Sequence, residues 1–378
     1  MKIKLIFIMI VGFDAKRIFH NNTGLGNYGR DLVRILCQHT NVNKLILYNT
    51  KPPKKDLVYK SSIISIVYPK LWFWKKLSSI WRVFALKNNI SKDNPNIYHG
   101  ITGEVPLGLH KTGVKSIVTI HDLIFITHPQ YYSAINRFIY TLKFKYAVKN
   151  ATKIVAISEQ TKNDILKYSN ISPDKITVVY QGCNSVFKKE YSTSEKEKVK
   201  VKYNLPNQFI LNVGTIQERK NALLIVKAIN GTKNKLVLIG NEEAHAKKIR
   251  EFITEHNLED QVHFLKNVEL KELAIIYQLA TVFCYPSLCE GFGIPIIEAL
   301  YSKTPVITTM GNCFPEAGGP HSLYIKPNDD KDLKLKINTL FSNPEIRQSI
   351  AKKGLDYAQK FNDDVTASNM YSVYKSIL

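Results

Sequence analysis

Acidic residues and cysteines are both scarce in this chain. Of 378 residues, Asp and Glu supply 31 against 53 Lys and Arg, leaving a net charge of +22. An excess of that size points to anionic partners: nucleic acid, lipid headgroups or phosphorylated metabolites. Five cysteines (Cys37, Cys183, Cys284, Cys289, Cys313) are too few and too scattered for a disulfide scaffold. No Cys-x-x-Cys pair occurs, so a zinc ribbon has no support, and reduced thiols in a cytosolic protein are the simplest reading. Long apolar runs are missing as well. The run from Leu5 to Val11 is far short of the roughly 20 residues a membrane span needs. The residues that follow, Phe13-Asp14-Ala15-Lys16-Arg17, do not form a small-residue cleavage site, so the run reads as a buried strand. No sequence repeat or low-complexity tract is visible. What remains is an apolar fraction of 44% with 22% charged residues, the balance of a folded protein.

Short apolar runs alternate with longer amphipathic stretches. In the first half the runs at 3–11, 44–48, 63–68, 96–99, 116–120, 153–157 and 176–180 lack strict polar alternation, which predicts parallel strands buried on both faces. Helical patterns lie at 26–38, 72–87, 136–148 and 159–167, with Ser158 as an N-cap. The second half repeats the theme. Strands are expected at 209–213, 235–239, 262–265, 281–285, 305–308 and 322–325, and helices at 221–228, 242–256, 269–279, 295–301, 332–341 and 344–360. The alternation predicts two doubly wound α/β domains with a cleft between them. Residues 187–204, charged at their core, read as an exposed linker leading into a short helix. The domains expected are therefore 1–186 and 187–363, followed by a terminal helix at 364–378.

The most specific stretch is Glu290-Gly291-Phe292-Gly293-Ile294-Pro295-Ile296-Ile297-Glu298. It follows a predicted strand, so Glu290 falls in a loop and Glu298 on the first turns of a helix that has Pro295 near its start. Glycines there allow a ligand close to backbone amides. Two carboxylates able to accept hydroxyl hydrogen bonds, with a helix N-terminus between them, suit a sugar nucleotide, and the competing reading is a helix cap plus a surface acid. Gly214-Thr215-Ile216-Gln217-Glu218-Arg219-Lys220-Asn221 follows the first strand of the second half. Arg219 and Lys220 thus stand where open α/β sheets bind ligands, a pairing suited to a diphosphate.

Gly24-Leu25-Gly26-Asn27-Tyr28-Gly29 matches Gly-x-Gly-x-x-Gly, but it lies well beyond the first strand, and the next strand ends in Asn49-Thr50 with no acid for a ribose. A nicotinamide or flavin site is therefore disfavoured, although a glycine-rich loop at a helix N-terminus still offers amides to anions. His121-Asp122 ends a strand, which argues against the helical metal phosphohydrolase pattern. There His121 could face the cleft and donate to a substrate oxygen, or be merely structural. Residues 69–89 hold all 3 tryptophans of the protein among five basic residues. Such a stretch suits an interfacial membrane helix or an ordinary core-facing helix, and one helix could do both.

Together these residues resemble the retaining glycosyltransferases of family 4, also described as glycosyltransferase group 1, typified by bacterial mannosyl- and glucosyltransferases with the two-domain GT-B architecture. The matching pieces run in the family's order: Thr23 to Arg30, Thr119-Ile120-His121-Asp122-Leu123, Val213-Gly214-Thr215 through Arg219-Lys220-Asn221, Pro286-Ser287 with Glu290 and Glu298, and Pro315-Glu316-Ala317-Gly318-Gly319. The resemblance implies a GT-B fold, two Rossmann-like domains facing a central cleft, with the C-terminal helix packing back on the first. It implies that Glu290 and the amides of Gly291, Phe292 and Gly293 bind the donor sugar and that Glu298 binds the nucleotide ribose. Arg219 and Lys220 would neutralise the diphosphate beside Gly214, Gly24 and Gly26 would bring amides from the first domain, and His121 would contact the transferred sugar. Asn267 and Val268 would approach the base through backbone. Thr215 stands where many members have Arg, and Arg219 is expected to take over that charge.

The expected reaction moves a hexose, mannose favoured, from a GDP- or UDP-linked donor to a saccharide or polyprenyl-diphosphate-linked acceptor in surface polysaccharide assembly. No cofactor is expected, and no metal, since no Asp-x-Asp stands in a suitable loop. The chain is expected in the cytoplasm, peripheral on an anionic membrane surface through residues 69–89, without a nucleic-acid partner. Two other readings stay open at this point: a sugar-nucleotide epimerase of the same architecture, and a non-enzymatic basic nucleic-acid-binding protein.

Overall fold

Two parallel sheets organise the chain, which a computed structural model describes over residues 8–21, 24–53 and 58–378. The first holds β1 (Ile10–Asp14), β2 (Lys44–Tyr48), β3 (Ile64–Val67), β4 (Ile97–Gly100), β5 (Lys115–Ile120), β6 (Lys153–Ala156) and β7 (Ile176–Val178), in the order β3-β2-β1-β4-β5-β6-β7. The second holds β8 (Ile210–Val213), β9 (Leu236–Ile239), β10 (Val262–Leu265), β11 (Val282–Tyr285), β12 (Val306–Thr309) and β13 (Leu323–Ile325), in the order β10-β9-β8-β11-β12-β13. Every pairing is parallel. Most strands are buried along nearly their whole length, as their unbroken apolar sequences require when helices cover both faces. In each sheet the chain winds outward and then returns to the strand beside the first one. The strands flanking that reversal are β1 and β4 in one sheet, β8 and β11 in the other. The α/β, Rossmann-like reading of both halves is what the structure contains.

The chain forms two compact units. One runs to Gln181 and takes back Asn362–Leu378, and the other is Gly182–Phe361. The division falls a few residues earlier than position 187 because the intervening segment packs with the second unit. The Tyr191 hydroxyl donates to the Val186 carbonyl at 2.9 Å, and next to it Phe187 meets the Tyr277 ring at 5.5 Å. The short helix expected at the end of the linker is Thr193–Lys202, started by a reciprocal capping box between Ser192 and Glu195. The terminal helix, Asp363–Lys375, lies against the helix Gly24–His39 of the first unit, buries Ala367, Met370, Val373 and Tyr374, and pairs Asp363 with Arg34 at 2.8 Å.

Two further expectations change. The first strand is centred later than 3–11, because Gly12, Phe13 and Asp14 continue the ladder opposite Ile46, Leu47 and Tyr48; residues 3–7 lie outside the described residues, as does Thr23 of the glycine loop. The single helix expected at 72–87 is three: Trp72–Lys76, Ser78–Phe84 and Leu86–Asp93, interrupted at Leu77 and Ala85. Trp81 is buried with Tyr48, Leu86, Ile90 and Tyr98, whereas Trp72 is 70% exposed, so one stretch serves core and surface together. Among the described residues no helix is long and apolar enough to cross a membrane.

Candidate functional site

In the second unit, β8 and β11 lie side by side where the winding reverses, the position at which open α/β sheets leave a crevice beyond the strand ends. The loop after β8 ends in a single tight turn, Glu218–Lys220, and the Leu288 amide of the neighbouring loop donates to the Arg219 carbonyl at 2.8 Å. That bond locks the two loops together. Lys220 Nζ then stands 2.6 Å from Glu290 Oε1, and Arg219 Nη1 stands 2.9 Å from the same oxygen. Tyr285, the last residue of β11, completes the group. Its hydroxyl accepts from Lys220 Nζ at 2.6 Å and donates to Glu290 Oε1 at 3.2 Å. Arg219 also donates to the Cys289 carbonyl at 3.2 Å. All three side-chain bonds to Glu290 fall on Oε1.

The charges are strongly coupled. Burial pushes the Glu290 carboxyl up, but Lys220 and Arg219 more than offset it and hold it below the usual carboxylate range. Burial lowers the Lys220 ammonium, and its attraction to Glu290 only partly restores it against the repulsion of Arg219. Burial also works against the Arg219 guanidinium, yet Glu290 raises it overall. The result is two cations and one anion in a desolvated corner, a net positive charge placed for an anionic ligand.

Glu298 sits apart from this cluster, on the helix Ile294–Tyr301 that follows the same loop. Its Oε2 accepts from the Tyr277 hydroxyl at 3.1 Å. Burial lifts the Glu298 carboxyl to about 7, with the Tyr277 bond acting in the opposite sense. Between the two acids, Gly293 adopts φ +120°, and a Cβ there would lie 3.2 Å from Ile296 Cδ1 and 3.4 Å from Ala317 Cβ, so the turn demands glycine. Phe292 is buried edge-on against Phe361 at 5.5 Å, which anchors the loop. The Gly214 amide, expected to face a ligand, donates instead to the Ile239 carbonyl at 2.9 Å. Asn267 has a left-handed backbone, φ +54°, and lies with Val268 just beyond β10 at the sheet's edge. Gly291 lies in the loop with Glu290, between the acid and the anchored Phe292.

The first unit holds the other predicted residues. Gly24 opens the helix Gly24–His39 with open space about it. At Gly26 a Cβ would meet the Asn21 carbonyl oxygen at 1.9 Å, and its amide already donates to Asn21 Oδ1 at 3.2 Å. Gly26 therefore permits a close backbone approach rather than presenting a donor. His121, at the end of β5, has both ring nitrogens engaged. Nε2 donates to the Ile101 carbonyl at 2.8 Å, which fixes the tautomer, so Nδ1 accepts from the Gln181 amide at 3.2 Å. Burial lowers this imidazole to about 4, so it is neutral at pH 7. The N–H expected to reach a substrate oxygen is thus spent within the unit.

Sequence reasoning missed Tyr285, Tyr277 and Gln181. Each is a single polar residue ending or following an apolar run, and nothing in its neighbours announces a partner. It also missed a buried chain in the first unit. The His99 ring bonds the Tyr374 hydroxyl at 2.9 Å and Thr119 Oγ1 at 2.8 Å, and Tyr28 reaches the same Thr119 oxygen at 3.2 Å. Among the described residues no group of three or more His, Cys, Asp or Glu is placed to hold a metal ion.

Comparison with known proteins follows the same division. Residues 23–186 match the family described as Glycosyltransferase Family 4, and residues 193–356 match Glycosyl transferases group 1. The chain is similar to the O-antigen chain mannosyltransferase RfbU of Salmonella typhimurium, 29% identical over 77% of this chain and 76% of that one. It is 26% identical to O-antigen chain mannosyltransferase B of Escherichia coli over 97% of this chain and 100% of its relative. Among solved structures it is similar in fold to a sucrose-phosphate synthase from Thermosynechococcus elongatus, with a TM-score of 0.78 at 20% identity, covering 98% of this chain and 99% of that one. Anabaena HepE in complex with UDP and glucose has a TM-score of 0.73 at 16% identity, covering 98% of this chain and 100% of that one.

Proposed function

Because the chain belongs to the family 4, group 1 glycosyltransferases and has their GT-B type of fold, we propose that it is a retaining hexosyltransferase using a nucleotide-diphosphate sugar. Mannose is the favoured sugar, since the O-antigen relatives are mannosyltransferases. The acceptor is a saccharide or a polyprenyl-diphosphate-linked saccharide in surface polysaccharide assembly.

One observation carries this reading: Lys220, Arg219 and Tyr285 all converge on Glu290 Oε1, which leaves Oε2 for a sugar hydroxyl and places two cations beside it. The bond to break joins the anomeric carbon to a diphosphate oxygen. Negative charge grows on that oxygen, and Lys220 and Arg219 supply fixed positive charge in a partly desolvated site, where it stabilises most. The acceptor oxygen bonds to the anomeric carbon on the face the phosphate leaves, and the acceptor proton passes to the departing phosphate oxygen. No covalent enzyme nucleophile is required, and the two cations take the part a divalent ion would play. Glu298 accepts from the ribose diol when ionised. The exposed part of residues 69–89 rests on an anionic membrane surface.

The test is a thermal-shift panel of GDP- and UDP-linked sugars, with EDTA present throughout, on the natural protein and on Glu290→Ala. One donor should stabilise the natural protein, and the substitution should weaken that stabilisation. No stabilisation by any nucleotide sugar would overturn the reading. Product analysis with and without acceptor then separates transfer from epimerisation.

A further inference from the structure

The helix Ala134–Asn150 has two apolar faces, and only one is covered by protein. Its buried residues, Phe144, Ala147 and Val148, all lie in its second half. At about 100° per residue, Ile135, Phe138, Ile139 and Leu142 fall within an arc of roughly 100° on the opposite side. These four are exposed: Ile135 at 73%, Phe138 at 65%, Leu142 at 53%, and Ile139 at 41%. A stripe of four bare apolar side chains on consecutive turns is not ordinary surface.

The stripe shares a face of the sheet with the Trp-rich segment. Tyr98 pairs with Ser116, and Gly100 with Val118, so Tyr98 and Val118 project to the same side. Tyr98 packs with Trp81 and Leu86, while Val118 packs with Phe144 and Ala147. The loop between β4 and β5 ties the two helical regions together. Glu104 pairs with Arg82 through one oxygen and with Lys143, at 2.9 Å, through the other. The Leu107 amide donates to the Val83 carbonyl at 2.8 Å, and the Gly108 amide to the Tyr146 hydroxyl at 2.6 Å. Leu71, Trp72, Leu77, Ile80 and Phe84 of the Trp-rich segment are exposed on this same layer.

Charge identifies the occupant. Residues 69–89 and 134–150 carry nine Lys or Arg and no Asp or Glu. On the helix, the exposed Lys145 lies beside one edge of the bare stripe and the exposed Lys149 continues its line beyond Leu142, the placement that lets ammonium groups reach phosphate headgroups while apolar side chains enter the acyl boundary; Lys143, on the other edge, is held by Glu104. A protein partner would not require so one-sided a rim. We propose that the helix Ala134–Asn150 is a second lipid-contacting element, and that it and the Trp-rich segment together seat the first unit on an anionic bilayer. This rests on the reading of the chain as a transferase working at a membrane surface, and extends its contact beyond residues 69–89.

Flotation of the full chain with phosphatidylglycerol/phosphatidylcholine vesicles at low salt tests it. The probes are the natural protein, Trp72→Glu, and the pair Phe138→Glu with Leu142→Glu. The natural protein should float with the anionic vesicles and far less with phosphatidylcholine alone. The paired substitution should lower binding about tenfold or more, while unfolding temperature and stabilisation by the donor stay unchanged. If the pair floats like the natural protein and Trp72→Glu alone abolishes binding, the helix is not a lipid contact, although the membrane placement survives. If the natural protein does not float, both fail. Concentration-dependent dimerisation in light scattering that the pair removes, without flotation, would assign the stripe to a second copy and overturn the proposal.

Discussion

Lys220 Nζ and Glu290 Oε1 lie 2.6 Å apart, although they come from loops that follow different strands. The contact exists because β8 and β11 are neighbours in space, and both loops leave the same end of the sheet. A buried pair of this kind is not a stability device in itself, since desolvation consumes much of the attraction. In the proposed reaction it holds a cation in place for the diphosphate.

Substituting Lys220 by Ala should therefore lower kcat by about 10²–10³-fold, read as turnover with a soluble acceptor. Glu290→Gln should destabilise by about 3 kcal/mol, because two buried cations lose their counter-charge. The double substitution should cost less than the sum of the singles by about 1–3 kcal/mol. Urea unfolding measures this; strict additivity would mean that the two groups do not interact.

Glu298 sets a trade between stability and binding. Its carboxyl is raised to about 7 by burial, against about 4.3 in an unfolded chain. Between those values the folded protein holds a proton that the unfolded chain has released. Its stabilising contribution is complete at low pH and is lost as pH rises through 7. Glu298→Gln should accordingly raise stability at pH 8 by about 1–3 kcal/mol and weaken donor binding there. Donor affinity of the natural protein should fall as pH drops below 7, which calorimetry across pH 6–8.5 would follow.

The buried histidines act in the other direction. Burial lowers His99 to about 3 and His121 to about 4. An unfolded histidine takes its proton near 6.5. Their stabilising contribution is present above that value and is lost as pH falls toward the folded values. The protein should lose about 3–6 kcal/mol between pH 6.5 and 4 from this source. His99→Gln should flatten that slope in acid-titration circular dichroism, and an unchanged slope would remove His99 from the account.

The glycine loop offers a sharper contrast. Gly26→Ala places a methyl 1.9 Å from the Asn21 carbonyl oxygen, while Gly24→Ala meets nothing within 4 Å. The first should cost about 3 kcal/mol and the second should be nearly neutral. Paired thermal melts decide it; equal effects would show that the loop yields at both positions.

Much of this protein follows from sequence alone. Apolar runs without alternation dictate parallel strands, because only a strand covered on both faces can afford them, and Glu290-Gly291-Phe292-Gly293 with Glu298 marks the loop and helix that carry two buried carboxylates. Ser158 accepts from the Thr161 amide at 3.0 Å, as its position predicts, because a helix cap is local. The tertiary structure decided the rest. Which oxygen of Glu290 is occupied, that Tyr285 joins it, that Gln181 and Ile101 take both nitrogens of His121, and that Trp81 is buried while Trp72 is bare all depend on chain segments far apart in sequence. Periodicity carries the information that a side chain faces inward or outward. It carries none about which partner waits there, since that is set by strand order and by the loops that strand order brings together.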